Sequence, residues 1–265
     1  MGRRTFSRAI APLVDFVYPP RCPLCGEGIA AGPGLCASCW DELEFPGHPA
    51  CDRCQLPLPS ATADPVCTAC QAIPPRHSGI SAGVLYTESA RQLVLRFKHG
   101  GRIGLASLMA RLIVGRLGDV SADAVLVPVP LHRTRLWLRG YNQAALLARA
   151  MAAQTGHAVV VDGLRRTRAT PMLGGLGRAD RAKTLRGAIA MNPARSREIA
   201  GREVILVDDV LTSGATTDAC VRVLLAAGAD KVRIACFARV PEPRHGDIEL
   251  PGNETPGTSK VPGAA

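Results

Sequence analysis

Aromatic side chains make up only 4 % of the 265 residues, and none lies between Arg165 and Arg186, where basic residues are densest. That scarcity excludes a base-stacking platform within this basic stretch. Nowhere does an apolar run approach the roughly 18 residues that a membrane span needs. The one N-terminal apolar stretch, Ala9 to Val17, is short and broken by Asp15 beside Arg8, which does not suit a secretory signal. Acidic residues are also in deficit, 22 against 32 basic, for a formal net charge of +10. No internal repeat stands out beyond the cysteine modules described below, and no helix-turn-helix reading head is visible. The hydrophobic content of 47 % nevertheless permits a full core, and the length suits one ordinary domain plus a smaller one.

Cysteine is abundant by contrast. Eight of the ten fall in four Cys-x-x-Cys pairs, Cys22 with Cys25, Cys36 with Cys39, Cys51 with Cys54 and Cys67 with Cys70. The missing export signal leads to the expectation of a cytoplasmic protein, where thiols stay reduced and this spacing means metal. A Cys-x-x-Cys turn presents two thiolates on one side of a tight loop, and two turns complete the tetrahedral shell preferred by Zn²⁺. Four turns give two closed sites with no position left for water, which makes both zinc ions structural. Gly26 suits the sharp turn after the first pair. Sequential pairing closes the shortest loops, with interleaved pairing as the open alternative. Cys220 and Cys236 lie in apolar surroundings and read as small buried residues. Eight thiolates on two Zn²⁺ would contribute about −4, which leaves only a moderately basic protein.

The other dense signal is Val204 to Thr217, Val-Ile-Leu-Val-Asp-Asp-Val-Leu-Thr-Ser-Gly-Ala-Thr-Thr. Val204 to Val207 has the β-branched character of a strand buried on both faces, so Asp208 and Asp209 are expected to emerge at its carboxyl end. Ligands of open α/β sheets bind at that edge. Thr212, Ser213, Gly214, Ala215 and Thr216 are small enough for backbone N–H groups to close on a phosphate, assisted by the N-terminus of the following helix. A bare turn with Thr212 or Ser213 as helix cap is the plainer alternative.

Along the chain, residues 1–20 read as a short amphipathic helix, 21–75 as the double zinc module ending at Pro74-Pro75, and 76–240 as a βα sheet domain. The proline-rich 241–265 reads as a disordered tail. Strands are expected at Ile80 to Tyr86, Val125 to Val129 and Val232 to Ala238. Helices are expected at Glu88 to Phe97, Leu105 to Leu117, after Asn142 to about Gln154, and Thr216 to Ala227. The strand, turn, helix and strand from Val204 to Ala238 form one right-handed βαβ unit. A second polar group follows Val125 to Val129: His132, Arg133 and Arg139 are candidate donors to a polyanion, with Asn142 as a neutral partner near a helix N-terminus, the plainer alternative being an ordinary basic loop with a helix cap at Asn142.

The Asp-Asp segment resembles the signature of type I phosphoribosyltransferases. The resemblance implies that Asp208 and Asp209 contact the ribose hydroxyls of 5-phosphoribosyl 1-pyrophosphate (PRPP). It also implies that Thr212 to Thr216 hold its 5′-phosphate, and that the loop after Val129 meets the pyrophosphate with Mg²⁺. With the zinc pairs, Pro-Val-Pro-Leu-His and Arg-Gly-Tyr-Asn-Gln in order, residues 20 to 240 are similar to the ComF family. That family joins an N-terminal zinc ribbon to a phosphoribosyltransferase-like parallel sheet and is associated with handling DNA during natural competence. Two departures concern the basic stretch, where Leu173 and Thr184 stand near positions at which the family usually has Gln and Asn. Thr212 occupies the place where purine-salvage relatives put an Asp base, which disfavours a hypoxanthine-guanine enzyme.

Two functions follow as expectations. One is a phosphoribosyltransferase binding PRPP with Mg²⁺. The other is a non-catalytic accessory protein that binds single-stranded DNA, with Arg165 to Arg186 and the zinc modules on the phosphate backbone and the DNA-uptake machinery as partner. A transcriptional regulator that senses a nucleotide precursor is a weaker third.

Overall fold

A computed structural model describes residues 20–29, 34–99, 101–168, 184 and 187–241. The expected helix before Pro20, the tail beyond Pro241 and most of the basic stretch between 165 and 186 lie outside the described residues.

Five short apolar segments pair in parallel: β1 (Gly79–Leu85), β2 (Val125–Pro128), β3 (Ala158–Val159), β6 (Glu203–Leu211) and β7 (Lys231–Arg239), in the order β1-β7-β6-β2-β3. A separate antiparallel pair joins β4 (Leu164–Arg166) to β5 (Ile189–Met191). Parallel strands covered on both faces need no polar alternation, and Val204 to Val207 are all fully buried. Side chains still alternate between faces. Val204 and Leu206 join one apolar cluster with Val125, Val127 and Ile234, whereas Ile205 and Val207 join another with Leu126, Ala235 and Phe237. Helix α8 (Ala215–Ala226), with Ile199 of the short α7 (Ser196–Ile199), packs on the first face, while α3 (Glu88–His99), α4 (Leu105–Val114) and α6 (Gln143–Thr155) cover the second. At the amino end of β6 the buried Glu203 is pinned by Lys231 at 3.2 Å, Arg233 at 3.6 Å and the N–H of Ser121 at 2.9 Å.

The short strands β3, β4 and β5 stand where none was expected, and one expected strand runs well past its expected end. β6 does not stop at Val207 but runs to Leu211, because β7 continues alongside and pairs Asp208 with Cys236 and Val210 with Ala238. The two acids therefore lie within the last turn of the pleat and not beyond it.

The cysteine modules are two copies of one local structure. In the first, Gly26 N–H donates to Cys22 C=O at 2.9 Å, and Cys36 caps α1 (Ala37–Asp41). In the second, Gln55 N–H donates to Cys51 C=O at 2.7 Å, and Cys67 caps α2 (Thr68–Ala72). Gly26 and Gln55 both have positive φ, which the tight knuckle demands. These modules bracket the edge strand β1. The first packs Leu43 into the cluster under α3 and α4, with Arg96 donating to Pro23 C=O and Ser89 to Glu42. Cys51, Cys54 and Cys70 of the second join the cluster on the opposite face. Between the modules, Glu44 C=O accepts from Leu85 N–H at 2.8 Å, and Gln55 Oε1 accepts from Ala82 N–H at 3.3 Å. The exposed edge of β1 is thereby covered.

Because Leu43 is 4 % exposed and lies where the first module meets the sheet domain, Leu43→Ala is expected to lower the unfolding free energy by about 2–5 kcal/mol. Urea unfolding checks this, with zinc content per folded chain unchanged.

Candidate functional site

The eight paired cysteines form two groups, Cys22, Cys25, Cys36 and Cys39 in one, Cys51, Cys54, Cys67 and Cys70 in the other. Within each group all four sulfurs lie within 4.8 Å of one another, so the pairing is sequential. A Zn–S bond of about 2.3 Å in a tetrahedron separates sulfurs by about 3.8 Å. Cys25 to Cys36 at 3.5 Å and Cys54 to Cys67 at 3.6 Å approach that spacing. Burial pushes the Cys39 and Cys70 thiols up, and Cys54 up to about 11. Against the same burial, backbone hydrogen bonds hold Cys22 at about 6 and Cys51 at about 7. Four thiolates together thus need a cation, and the all-sulfur set suits structural Zn²⁺.

At the carboxyl edge of the sheet, the two acids part company. Asp208 is partly exposed and borders a cavity of about 70 Å³ lined also by Thr212, Ser213, Gly214, Ala215, Thr216 and Thr217. Gly214, at φ +77°, makes the left-handed turn into α8, and its carbonyl accepts from Thr217 Oγ1 at 2.8 Å and Asp218 N–H at 2.7 Å. Asp209 is 8 % exposed and faces the other side of the sheet, where Lys98 Nζ meets its Oδ2 at 3.0 Å. Burial, then the charge of Asp209, raises the Asp208 carboxyl to about 8. On the α8 side, Arg166 from β4 sits close enough to feel Asp208. Burial first, and Arg135 second, lower its pKa.

Lys98, Arg135 and Arg166 were not singled out by the sequence reading. Lys98 and Arg166 stand among other basic residues in the sequence, and only the fold turns them toward Asp209 and Asp208. The helix α5 (Arg133–Arg139) follows β2 at the same sheet edge. His132 caps α5 by accepting from Thr134 N–H at 3.3 Å, and Arg139 donates to Gln143 at 3.5 Å. Arg133 is exposed. Asn142 caps α6, accepting from Ala144 N–H and donating to Val129 C=O, both at 3.0 Å. Its amide is therefore committed to backbone. Gly140 ends α5 at φ +76°, and Tyr141 Oη donates to Phe97 C=O, next to Lys98. Arg-Gly-Tyr-Asn-Gln thus braces the helices that carry the site. Cys220 and Cys236 are fully buried, as expected, and burial raises the Cys236 thiol to about 12.

Comparison with known proteins gives two family matches. The double zinc ribbon domain matches residues 13–71, and the phosphoribosyl transferase domain matches residues 142–250. "Competence protein F" of Haemophilus influenzae is 28 % identical over 226 residues, 83 % of this chain and 96 % of that protein. "DNA utilization protein YhgH" of Escherichia coli is 28 % identical over 228 residues, 83 % of this chain and 97 % of that one. "Competence protein ComFC" of Bacillus subtilis is 27 % identical over 207 residues, covering 73 % and 79 %. The fold is a phosphoribosyltransferase-like parallel sheet with a double zinc ribbon. No described helix is long and apolar enough to cross a membrane.

The raised Asp208 carboxyl has a defined pH signature. The folded chain holds a proton that the unfolded chain releases near pH 4, so Asp208 costs stability increasingly as pH rises from about 4 to about 8, and no further above. Asp208→Asn is expected to gain melting temperature over the wild type across that interval, with a plateau beyond it. Thermal melts from pH 5 to 9 check the slope.

Proposed function

We propose that this chain, a member of the ComF family, binds the Mg²⁺ complex of PRPP at the carboxyl edge of its sheet and transfers the phosphoribosyl group in nucleotide or DNA handling. One observation carries the reading: partly exposed Asp208 and the Thr212 to Thr216 turn line a common cavity beside α8. In the proposed complex the turn and helix N-terminus hold the 5′-phosphate, and Asp208 accepts from a ribose hydroxyl. Asp209, held by Lys98 on the far side, acts as a positioning residue that sets the end of β6. Arg166 brings positive charge near Asp208, Arg135 lies close to Arg166, and Arg133 and Arg139 on α5 are further partners for pyrophosphate. Mg²⁺ on the pyrophosphate would stabilise the leaving group. As the C1′–O bond to pyrophosphate breaks, a bond from C1′ to an acceptor nitrogen forms and the nitrogen loses its proton. The names of the relatives support a role in DNA uptake.

Calorimetric titration of the zinc-loaded chain with PRPP and Mg²⁺ at about pH 9, above the raised Asp208 pKa of about 8, is expected to show saturable binding, weakened at least about tenfold by Asp208→Asn through loss of a charged hydrogen-bond acceptor. An absence of heat with wild-type protein, across ligand concentrations and temperatures, rules the reading out.

A second reading, binding of single-stranded DNA, draws support from α5. Trp137 is 87 % exposed between Leu136 and Leu138, and Arg133 and Arg139 lie on the same short helix. An exposed indole among guanidinium groups suits a base stacked beside a phosphate backbone. An oligothymidylate is expected to quench Trp137 fluorescence. Trp137→Ala should weaken binding by about 1–3 kcal/mol while leaving the salt slope intact. Unquenched emission at low salt argues against this surface.

A further inference from the structure

A larger cavity, about 320 Å³, lies behind the Thr212–Ala215 turn. The turn and the first part of α8 form one wall. Cys54, Cys67 and Cys70 of the second zinc ribbon stand in the opposite wall. It shares the turn with the smaller cavity but does not include Asp208. Ile80 and Ile234 provide apolar surface, and Arg76 and Arg222, both exposed, add charge.

Two buried polar atoms in this cavity, Nε of Arg239 and Nδ1 of His77, have no hydrogen-bond partner among the described residues. Arg239 is 7 % exposed, its Nε is buried, and among the described residues no hydrogen bond or ion pair meets its guanidinium. Nδ1 of His77 is likewise buried and unpartnered. A buried guanidinium is stable only when paired, and a native interior leaves few such groups unsatisfied. A zinc ion with four thiolates keeps about two negative charges, which offsets part of the Arg239 charge from a distance. No sulfur of the ribbon accepts a hydrogen bond from Arg239 among the described residues, however, so its directional donors remain unused. Asp218, the one carboxylate in the lining, has interactions of its own.

We infer that this cavity is a binding site for a small organic phosphate, whose anionic group is held by Arg239 with Arg222 and Arg76, and whose body packs on Ile80 and Ile234. The volume falls within the range of small-molecule pockets, and so does the composition, an apolar floor with a few convergent donors. A free inorganic anion would leave most of the space unfilled. Since the turn is a shared wall, a ligand here and a ligand beside Asp208 bear on the same backbone, and any coupling between them is reciprocal. The inference stands independently of the identity of the ligand beside Asp208.

The test uses adenosine 5′-monophosphate and, separately, inorganic phosphate, titrated calorimetrically into the zinc-loaded full chain. Saturable binding of the nucleotide is expected, tighter than inorganic phosphate. Arg222→Gln, an exposed position, should weaken it about tenfold and Arg239→Lys by more, through loss of charged hydrogen bonds. Asp208→Asn should leave it unchanged. Zinc content reports whether Arg239→Lys keeps its ribbon, and Arg222→Gln alone decides if it does not. The inference is overturned by three results: no nucleotide binding, equal binding of inorganic phosphate, or binding lost in Asp208→Asn but kept in Arg222→Gln.

Discussion

Two adjacent carboxylates on one extended strand must project to opposite faces of its sheet, and the arrangement of the candidate site depends on that restriction. Backbone pairing with β7 keeps β6 extended to Leu211, so Asp208 turns to the α8 side and Asp209 to the α3 side. Asp209 is then available to Lys98, and the pair ties the sheet edge to the helix that Tyr141 anchors through Phe97. Asp208 is left beside the turn, with its negative charge opposed by burial and by its neighbour. Similar sequence positions thus acquire different surroundings: one acid is tied into the frame while the other faces the cavity beside the turn.

The zinc ribbons belong to the same frame. Each contributes residues to a different apolar cluster, and together they occupy both faces beside β1 and cover its free edge. The second ribbon also forms a wall against the turn that borders Asp208. Metal loading, sheet packing and the geometry of the ligand edge are therefore mechanically continuous, since a shift of the Cys51 to Cys70 module would move residues that touch the turn and β1.

The parts legible in the sequence are those written in local spacing. Cys-x-x-Cys pairs, the apolar run into Asp208, the small residues of the turn and Gly214 each carry their meaning within a few residues. The knuckle geometry follows from Cys22 and Gly26 without reference to the rest of the chain. Legibility fails where a role depends on contacts distant in sequence. Lys98 looks like one more cation of a helix end until β6 brings Asp209 to it from more than a hundred residues away. Asn142 shows the reverse: its place beside a basic loop suggests a ligand, while the plainer alternative, a helix cap, is the role it has between Val129 and Ala144. The length of β6 was misjudged for a related reason: charge in a sequence suggests a strand end, but it was the partner strand that decided. Aromatic scarcity was an average, and it concealed the single Trp137 that the short helix α5 holds out in solvent.

The strand order carries a consequence for biogenesis. β1 is the earliest strand of the main sheet to leave the ribosome, and its sheet partner, β7, is the last. Until β7 has been translated, β1 has only the ribbons to satisfy its backbone, and the apolar faces of both ribbons lack the surface they finally bury. Zinc acquired early would therefore act on the nascent chain as a holding device, keeping a sticky strand shielded through the slow closure of a long-range parallel sheet.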